Sequence, residues 1–193
     1  DASETCTTIR YGEPGRAGRE YVDAPTFSIL LQYDISGRPE YKRVESPDGP
    51  IEEEWYVYSD GRLVERSVSR NGSEETHRYS EGLKVYEEYR RNGRVVREVS
   101  REYDELGRVR VVIERERGRT TRTERTWGEF DEYEERVYEN GALVLEQTVT
   151  ADGERRVTRY RDGEPVVREY FIDGELQQRE IFADGRVIRV ETP

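Results

Sequence analysis

Glycine recurs along this chain at nearly even intervals. Of its 17 glycines, 14 fall between Gly37 and Gly185, separated by 10 to 14 residues. In an all-β meander, one strand and the tight turn that follows it occupy a stretch of about this length. The spacing therefore predicts a repetitive fold of short strands.

The residues next to these glycines predict the type of turn. An Asp or Asn followed by Gly supplies the two positive-φ residues of a type I′ turn, whose twist matches that of the flanking strands. Between the turns, 20 Val against 8 Leu and 6 Ala is a composition typical of strands, so no long helix is expected. The nine Asx residues that precede a glycine of the series are Asp48, Asp60, Asn71, Asn92, Asn140, Asp152, Asp162, Asp173 and Asp184.

Two-residue turns also predict which residues face each other across a hairpin. The residue three before each glycine should lie opposite the residue two after it. This rule pairs Tyr58 with Leu63, Tyr138 with Leu143, Phe171 with Leu176, and Phe182 with Val187. On the other face it pairs Val57 with Val64, Val137 with Val144, and Ile181 with Ile188, and further out it places Glu180 opposite Arg189.

The number of turns constrains the architecture. Fourteen turns imply about 15 strands, whereas open twisted sheets rarely exceed about ten strands without curling or splitting. With only 33% hydrophobic residues, a thick two-sided core is not expected. We predict an all-β antiparallel meander forming an elongated, curved and largely single-layer sheet. The alternative is a closed barrel or a two-layered sheet.

The repeat does not extend over the whole chain. Residues 1–26 lack the regular spacing and contain Gly12, Pro14, Gly15, Gly18 and Pro25, so we interpret them as an irregular arm or cap. Residues 27–193 are predicted to be the hairpin array, in a single domain.

Some turn motifs resemble known bacterial repeats. Tyr33–Arg38 and Tyr103–Val109 resemble the tyrosine-aspartate (YD) repeats of Rhs-type cell-surface and toxin-shell proteins, and Tyr58–Val64 and Tyr138–Val144 resemble MORN-type repeats and the related MORN-like antitoxins. The resemblance implies an array of β-hairpins. It also implies an exported bacterial protein or, on the MORN-like side, an antitoxin or immunity protein.

Charge argues against two classes of partner. The formal net charge of −11 opposes the counterion release that drives binding to nucleic acids and to anionic membranes. No apolar run approaches the roughly 18 residues that a membrane-spanning helix needs. The chain begins at Asp1 and contains no Met, so we expect a processed protein that is periplasmic, displayed on the cell surface or secreted.

Catalytic and metal-binding patterns are scarce. Cys6 and His77 are the only residues of their kinds and lie on dissimilar segments, which argues against a Cys-His nucleophilic pair. His77 is predicted to be a surface residue of a strand. There is no cluster of zinc ligands, phosphate-binding loop or dinucleotide motif. We therefore expect no cofactor, no metal and no enzymatic activity.

The aromatic residues near the turns are the candidate binding site. They could form a ladder that holds the hairpins together and binds a partner. We predict a non-enzymatic structural or protein-interaction module that binds a protein partner, and the oligomeric state is left open. The alternatives are a barrel or cupped sheet for an apolar or glycan ligand, and a MORN-like antitoxin. The predicted row is Tyr58, Tyr79, Tyr89, Tyr138, Tyr160, Phe171 and Phe182.

Overall fold

In a computed structural model of the chain, the described residues are 6–10, 18–24 and 26–193. They form 17 β-strands, and no helix occurs among them. The strands are β1 (Cys6–Arg10), β2 (Arg19–Ala24), β3 (Phe27–Tyr33), β4 (Pro39–Ser46), β5 (Gly49–Ser59), β6 (Arg62–Arg70), β7 (Ser73–Ser80), β8 (Leu83–Arg91), β9 (Arg94–Tyr103), β10 (Val109–Glu116), β11 (Arg119–Trp127), β12 (Tyr133–Glu139), β13 (Ala142–Val149), β14 (Arg155–Arg161), β15 (Glu164–Ile172), β16 (Glu175–Ala183) and β17 (Arg186–Glu191).

The strands make an open antiparallel meander, as predicted. Each strand pairs with its neighbours in the chain, with a defined register from β1 to β8 and from β10 to β17. Within residues 1–98 and within residues 99–193, the described strands contact only the strands that precede or follow them in the chain. The alternative of a closed barrel is therefore wrong.

The chain divides into two compact units. Unit 1 is Asp1–Glu98 and unit 2 is Val99–Pro193, so the boundary falls within β9. The sequence predicted one array over residues 27–193, and this range contains fifteen of the strands, β3 to β17.

Strands also occur within residues 1–26, where the sequence predicted an irregular arm or cap. β1 pairs with β2, and β2 pairs with β3 along the run Arg19–Ala24. Tyr21 and Val22 are residue types that favour strands, and this preference outweighs the nearby glycines and prolines. Gly12, Pro14, Gly15 and Pro25 lie outside the described residues.

Most of the predicted type I′ turns are present. In seven of the nine Asx-Gly pairs both residues have positive φ, for example Asp60 at 49° and Gly61 at 78°. The pairs at Asp48 and Asp152 differ because only the glycine has positive φ. Glu81 and Arg117, each followed by glycine, adopt the same backbone without an Asx side chain.

The two Tyr-Asp motifs form a different turn. One oxygen of Asp34 accepts hydrogen bonds from the backbone N–H groups of Ser36 and Arg38, at 2.8 and 2.9 Å, while the other oxygen pairs with the Arg38 side chain at 2.6 Å. Asp104 makes the same set of bonds with Leu106 and Arg108. The aspartate therefore closes the turn through its side chain.

A β-bulge after many of the turns corrects part of the predicted pairing. Tyr58–Leu63, Tyr138–Leu143, Phe171–Leu176 and Phe182–Val187 are confirmed as cross-strand pairs. The next pairs were wrong because the second strand contains one extra residue. Val57 lies opposite Glu65, Val137 opposite Leu145, Ile181 opposite Arg189, and Glu180 opposite Val190.

The bulge has a consequence for packing. An extra residue keeps two successive side chains on nearly the same face. Leu63 and Val64 therefore both flank Tyr58, where strict alternation would send one of them to the opposite face.

The buried residues are few and many are charged. In unit 1 they are Glu54, Val68, His77 and Glu87, and the register puts all four on one face, which we call the buried face. In unit 2 a cross-strand row runs Arg125, Glu135, Gln147, Val157, Glu169, Arg179 and Glu191, and its buried members are Glu135, Val157 and Glu169. Side-chain ion pairs therefore replace much of an apolar core.

Candidate functional site

Three of the predicted aromatic residues form one row in unit 2. Tyr138, Tyr160 and Phe182 lie on alternate strands, on the same face, and all are half-buried. At a spacing of about 4.8 Å between strands, neighbouring rings are about 10 Å apart. The bulged hairpins fill the intervening strands with the aliphatic pairs Leu143 and Val144, and Pro165 and Val166. We call this set the unit 2 apolar row.

Phe171 does not belong to that row. Its neighbour in register is Arg155, on the face that also carries Val157 and Glu169. The Arg155 guanidinium lies 4.4 Å from the centroid of the Phe171 ring, a cation–π contact. The turn after Phe171 lies at the opposite end of the strands from the turn after Tyr160. The Phe171 ring also lies on the opposite face of the sheet from the Tyr160 ring.

In unit 1, Tyr58 and Tyr79 share a row on the buried face. Tyr58 pairs with Leu63. Because Arg78 pairs with Glu65 in antiparallel register, the next residue, Tyr79, lies beside Val64. The guanidinium of Arg38 covers the Tyr58 ring at 4.7 Å. Both rings are half-buried against aliphatic or cationic neighbours, which leaves little aromatic surface free.

Tyr89 lies on the same face of unit 1, towards the other end of the strands. It pairs with Glu75 and donates a hydrogen bond from its hydroxyl to that carboxylate at 2.9 Å. The same Glu75 oxygen bonds His77 Nε2, and the Tyr79 hydroxyl lies 3.5 Å from His77 Nδ1. A chain of polar contacts thus links two of the predicted aromatic residues, Tyr79 and Tyr89.

These polar contacts correct the prediction for His77. The residue was expected on the surface but is only 7% exposed, opposite the buried Glu87. Both ring nitrogens face neighbouring side chains. Burial is favourable here because Glu75 and Tyr79 satisfy the polar atoms of the ring.

A shallow groove of about 360 Å³ lies beside Glu75 and Tyr89, two of the residues in this set of polar contacts. Its lining includes Tyr89, Val68, Arg66 and Arg70. The two guanidinium groups are already paired, Arg66 with Glu54 at 2.7 Å and Arg70 with Glu52. The groove therefore presents neutralised rather than free cations.

Glu54 shows how the buried face holds its charges. Burial alone would raise the pKa of this carboxyl, but hydrogen bonds from Lys42, Tyr56 and Arg66 outweigh burial and lower its pKa well below the usual range. The three donors lie 2.8, 2.6 and 2.7 Å from the carboxylate oxygens. Glu54 therefore stays ionised and holds three strands together.

Glu169 plays the same part in unit 2. Burial opposes ionisation, yet hydrogen bonds from Arg179 and Arg159 lower the pKa of the carboxyl. The two guanidinium groups contact different oxygens of Glu169, at 2.8 and 2.6 Å. In both units a buried carboxylate therefore joins neighbouring strands through charge-assisted hydrogen bonds.

An exposed aromatic patch lies on the other face of unit 1. Trp55 on β5 pairs with Tyr41 on the adjacent strand β4, and their ring centroids are 5.7 Å apart. Trp55 is 40% exposed and Val57, two residues further along on the same face, is 49% exposed. Arg43 lies on this face beside Tyr41. We call Tyr41, Trp55 and Val57 the Trp55 patch.

The side chains beside the Trp55 patch are polar. Trp55 is opposite Ser67 on the next strand, and Ser67 is opposite Thr76, with their hydroxyl oxygens 3.3 Å apart. The Tyr41 hydroxyl donates to Glu53 at 2.6 Å. Small side chains next to the indole leave its ring accessible.

The sequence reasoning missed Trp55 because it considered only aromatic residues near turns. Trp55 is six residues before Gly61, in the middle of a strand. The signal that could have found it is the alternation through Trp55 and Val57, which places two large apolar side chains on the face opposite Glu54 and Tyr56.

Comparison of the sequence with known proteins identifies no family. Neither a scan against models of protein families nor a search of curated proteins finds a match to the sequence. Within the described ranges, no segment forms a helix suited to crossing a bilayer. The same ranges contain no group of three or more His, Cys, Asp or Glu side chains arranged to hold a metal ion.

Proposed function

We propose that this protein is a non-enzymatic interaction module of an exported bacterial repeat protein, and that it binds a protein partner through the strand face that carries the Trp55 patch. The observation that carries the proposal is the exposure of Trp55 and Val57 on one strand face, beside Tyr41 and Arg43. Trp, Tyr and Arg are the residues that most often dominate the energy of protein interfaces.

The rest of the surface supports this choice of face. On the buried face, tyrosines and carboxylates already contact one another, since Tyr56 donates to Glu54 and Tyr89 donates to Glu75. A partner there would have to break ion pairs that are partly shielded from water. The Trp55 patch can be covered with no such loss, and covering it removes exposed apolar area from water.

The test is partner capture followed by reconstitution. The full chain is used as bait for proteins of the source organism's cell envelope, the captured protein is purified, and its dissociation constant is measured by calorimetry. We expect Trp55→Ser to weaken binding by about 30-fold or more, corresponding to about 2 kcal/mol for a residue at an interface centre. Val96→Ser, which removes another exposed apolar side chain, is the matched control and should bind normally.

Two results would overturn the proposal. The first is a purified partner that binds Trp55→Ser and the unaltered chain equally well. The second is the absence of any protein that binds the purified chain stoichiometrically.

A further inference from the structure

The loop between β11 and β12 carries an exposed aromatic ring on a strained backbone. Phe130 lies at the tip of this loop and is 83% exposed. Its φ is 54°, and that of the next residue, Asp131, is 62°. A bulky apolar residue rarely adopts this left-handed conformation, which strains its backbone. Strain of this kind, at a position where burial gives nothing in return, is typical of functional sites.

Contacts with the neighbouring Tyr-Asp turn fix the base of this loop. The Arg108 guanidinium lies 5.3 Å from the centroid of the Trp127 ring and donates a hydrogen bond to the Gly128 carbonyl at 3.4 Å. The Trp127 indole N–H donates to the Val109 carbonyl at 2.8 Å. The Gly128 N–H donates to the Glu132 carbonyl at 2.9 Å and closes the loop. The exposed ring is therefore held in place from below.

The neighbouring turn presents a second apolar side chain at the same end of unit 2. Leu106 is 76% exposed in the turn between β9 and β10. In an antiparallel meander, the connections after β9 and β11 lie at one end of the strands, two strand spacings or about 10 Å apart. Glu129 and Asp131 are exposed on either side of Phe130 in the chain. We call Leu106, Glu129, Phe130 and Asp131 the Phe130 tip.

The two ends of unit 2 differ in charge. The structure describes every residue of this unit, and the four connections at the end with the Phe130 tip contain eight acidic residues and one arginine. The four connections at the opposite end contain two acidic residues and one arginine. The exposed apolar side chains of the Phe130 tip therefore lie in a negative field, which favours a partner that is both apolar and cationic.

We infer that the Phe130 tip binds a cationic amphipathic helix of a partner protein. Helix residues seven apart lie on one face and about 10.5 Å apart, so a single apolar stripe reaches both Leu106 and Phe130. Lys or Arg side chains beside the stripe then lie near Glu129 and Asp131. Burial of the apolar side chains supplies affinity, and the opposite charges supply specificity. This surface is distinct from the Trp55 patch, so the inference goes beyond the function proposed above.

A lipid bilayer is the other apolar surface that accepts exposed loop tips. Insertion of Phe130 would bring Glu129 and Asp131 to the headgroups, where anionic lipids repel carboxylates. A cationic helix pairs with the same carboxylates. The charge around the ring therefore favours a protein partner, and lipid vesicles serve as the competing ligand in the experiment.

The probe is the synthetic peptide Lys-Leu-Ala-Lys-Lys-Leu-Ala-Lys-Leu-Ala-Lys-Lys-Leu-Ala-Lys, titrated into the isotope-labelled full chain and followed by NMR. Its leucines form one stripe when the peptide is helical. We expect saturable shifts confined to the connections that carry the Phe130 tip and to the strand ends beside them. The same peptide with Glu in place of every Lys should not bind. Vesicles of phosphatidylcholine, with or without phosphatidylglycerol, should leave these amides unchanged.

Phe130→Asn separates binding from folding. It should weaken binding of the peptide about tenfold, because it removes the ring that the helix covers. It should also raise the melting temperature, because Asn adopts positive φ more readily than Phe. A ring that served only the fold would give a lower melting temperature when removed.

A pair of turn variants provides the matched control. Leu106→Ser should weaken binding of the peptide, because it removes the second apolar contact. Ile35 is 73% exposed in the other Tyr-Asp turn, in unit 1, so Ile35→Ser makes an equivalent change outside the Phe130 tip and should bind the peptide normally.

Several outcomes would overturn the inference. Equal binding of the peptide by Phe130→Asn, or shifts at both ends of unit 2, would show that charge alone attracts it. Equal binding of the Glu peptide would exclude the proposed charge complementarity. Vesicles that shift the amides of the Phe130 tip, when the peptide does not, would identify a lipid surface as the ligand. If the peptide fails to bind while Trp55→Ser abolishes partner capture, the inference falls and the proposed function stands.

Discussion

At the scale of single residues, positive φ is the strictest local demand in this chain. Asp60 has φ of 49° in the turn between β5 and β6. Asn and Asp adopt this left-handed conformation more readily than other residues with a side chain, because their short polar groups bond locally to the backbone. Glu81 and Arg117 occupy the same conformation at other turns, so the sheet can impose it on less suitable residues.

Substitution of Asp60 tests this demand. We expect Asp60→Val to lower the free energy of unfolding by about 1 kcal/mol, because a β-branched side chain is strained at positive φ. Asp60→Asn should be nearly neutral. Ser59→Val places the same side chain one residue earlier, on a strand, and is the matched control. Urea denaturation measures all three, and equal losses for the two valine variants would contradict the explanation.

The buried carboxylates make stability depend on pH. The pKa of Glu169 is lowered in the folded chain, as is that of Glu54. A lowered pKa means that the unfolded chain binds protons more readily, so the contribution is fully present above about pH 4.5 and is lost as the pH falls through the folded values. We expect the melting temperature to be steady near neutrality and to fall steeply below about pH 4.5.

Glu169→Gln identifies the group responsible. The variant should lose about 2 kcal/mol at pH 7, because an amide cannot satisfy both guanidinium groups as an ion does. Its stability should then fall less steeply in acid than that of the unaltered chain. Glu105→Gln, at an exposed turn position, is the control and should change neither. Parallel acid profiles for all three chains would rule out Glu169 as a source of the pH dependence.

At the scale of strands and hairpins, the turns and the first cross-strand pair were predictable, but the register beyond them was not. Asx-Gly specifies positive φ at two positions, and this local property placed Tyr58 opposite Leu63 correctly. The bulge that follows depends on packing, since it keeps Leu63 and Val64 on one face beside Tyr58. No residue in the turn signals it, so Val57 was paired with the wrong partner.

The candidate site was predictable only in part, for the same reason. A fixed distance from the turn grouped Tyr138, Tyr160 and Phe182 correctly in one row, because their hairpins end at the same side of the sheet. Phe171 stands at the same distance from its own glycine, but its hairpin turns at the opposite end and presents the other face. Trp55 has no fixed distance from a turn, so only the alternation through Trp55 and Val57 could have indicated it, and its pairing with Tyr41 is seen only in the structure.

At the scale of the whole molecule, contacts between neighbouring strands carry the stability. Within each unit, the described strands contact only their neighbours in the chain, and each unit has its own buried residues, such as Val68 in unit 1 and Val157 in unit 2. In arrays of this kind, stability is approximately a sum of the stabilities of the repeats and of their nearest-neighbour interfaces. A local defect should therefore open the strands around it before it affects remote ones.

Val157→Ala tests this locality. Val157 is 3% exposed, and removing two buried methyl groups should cost about 2 kcal/mol. We expect hydrogen exchange to accelerate in β13, β14 and β15 and to stay unchanged in β5, β6 and β7. Val68→Ala, at a residue 7% exposed on β6, should give the mirror-image result. If either substitution accelerates exchange equally in both sets of strands, the molecule opens as one cooperative unit, and a sum over neighbouring strands does not describe its stability.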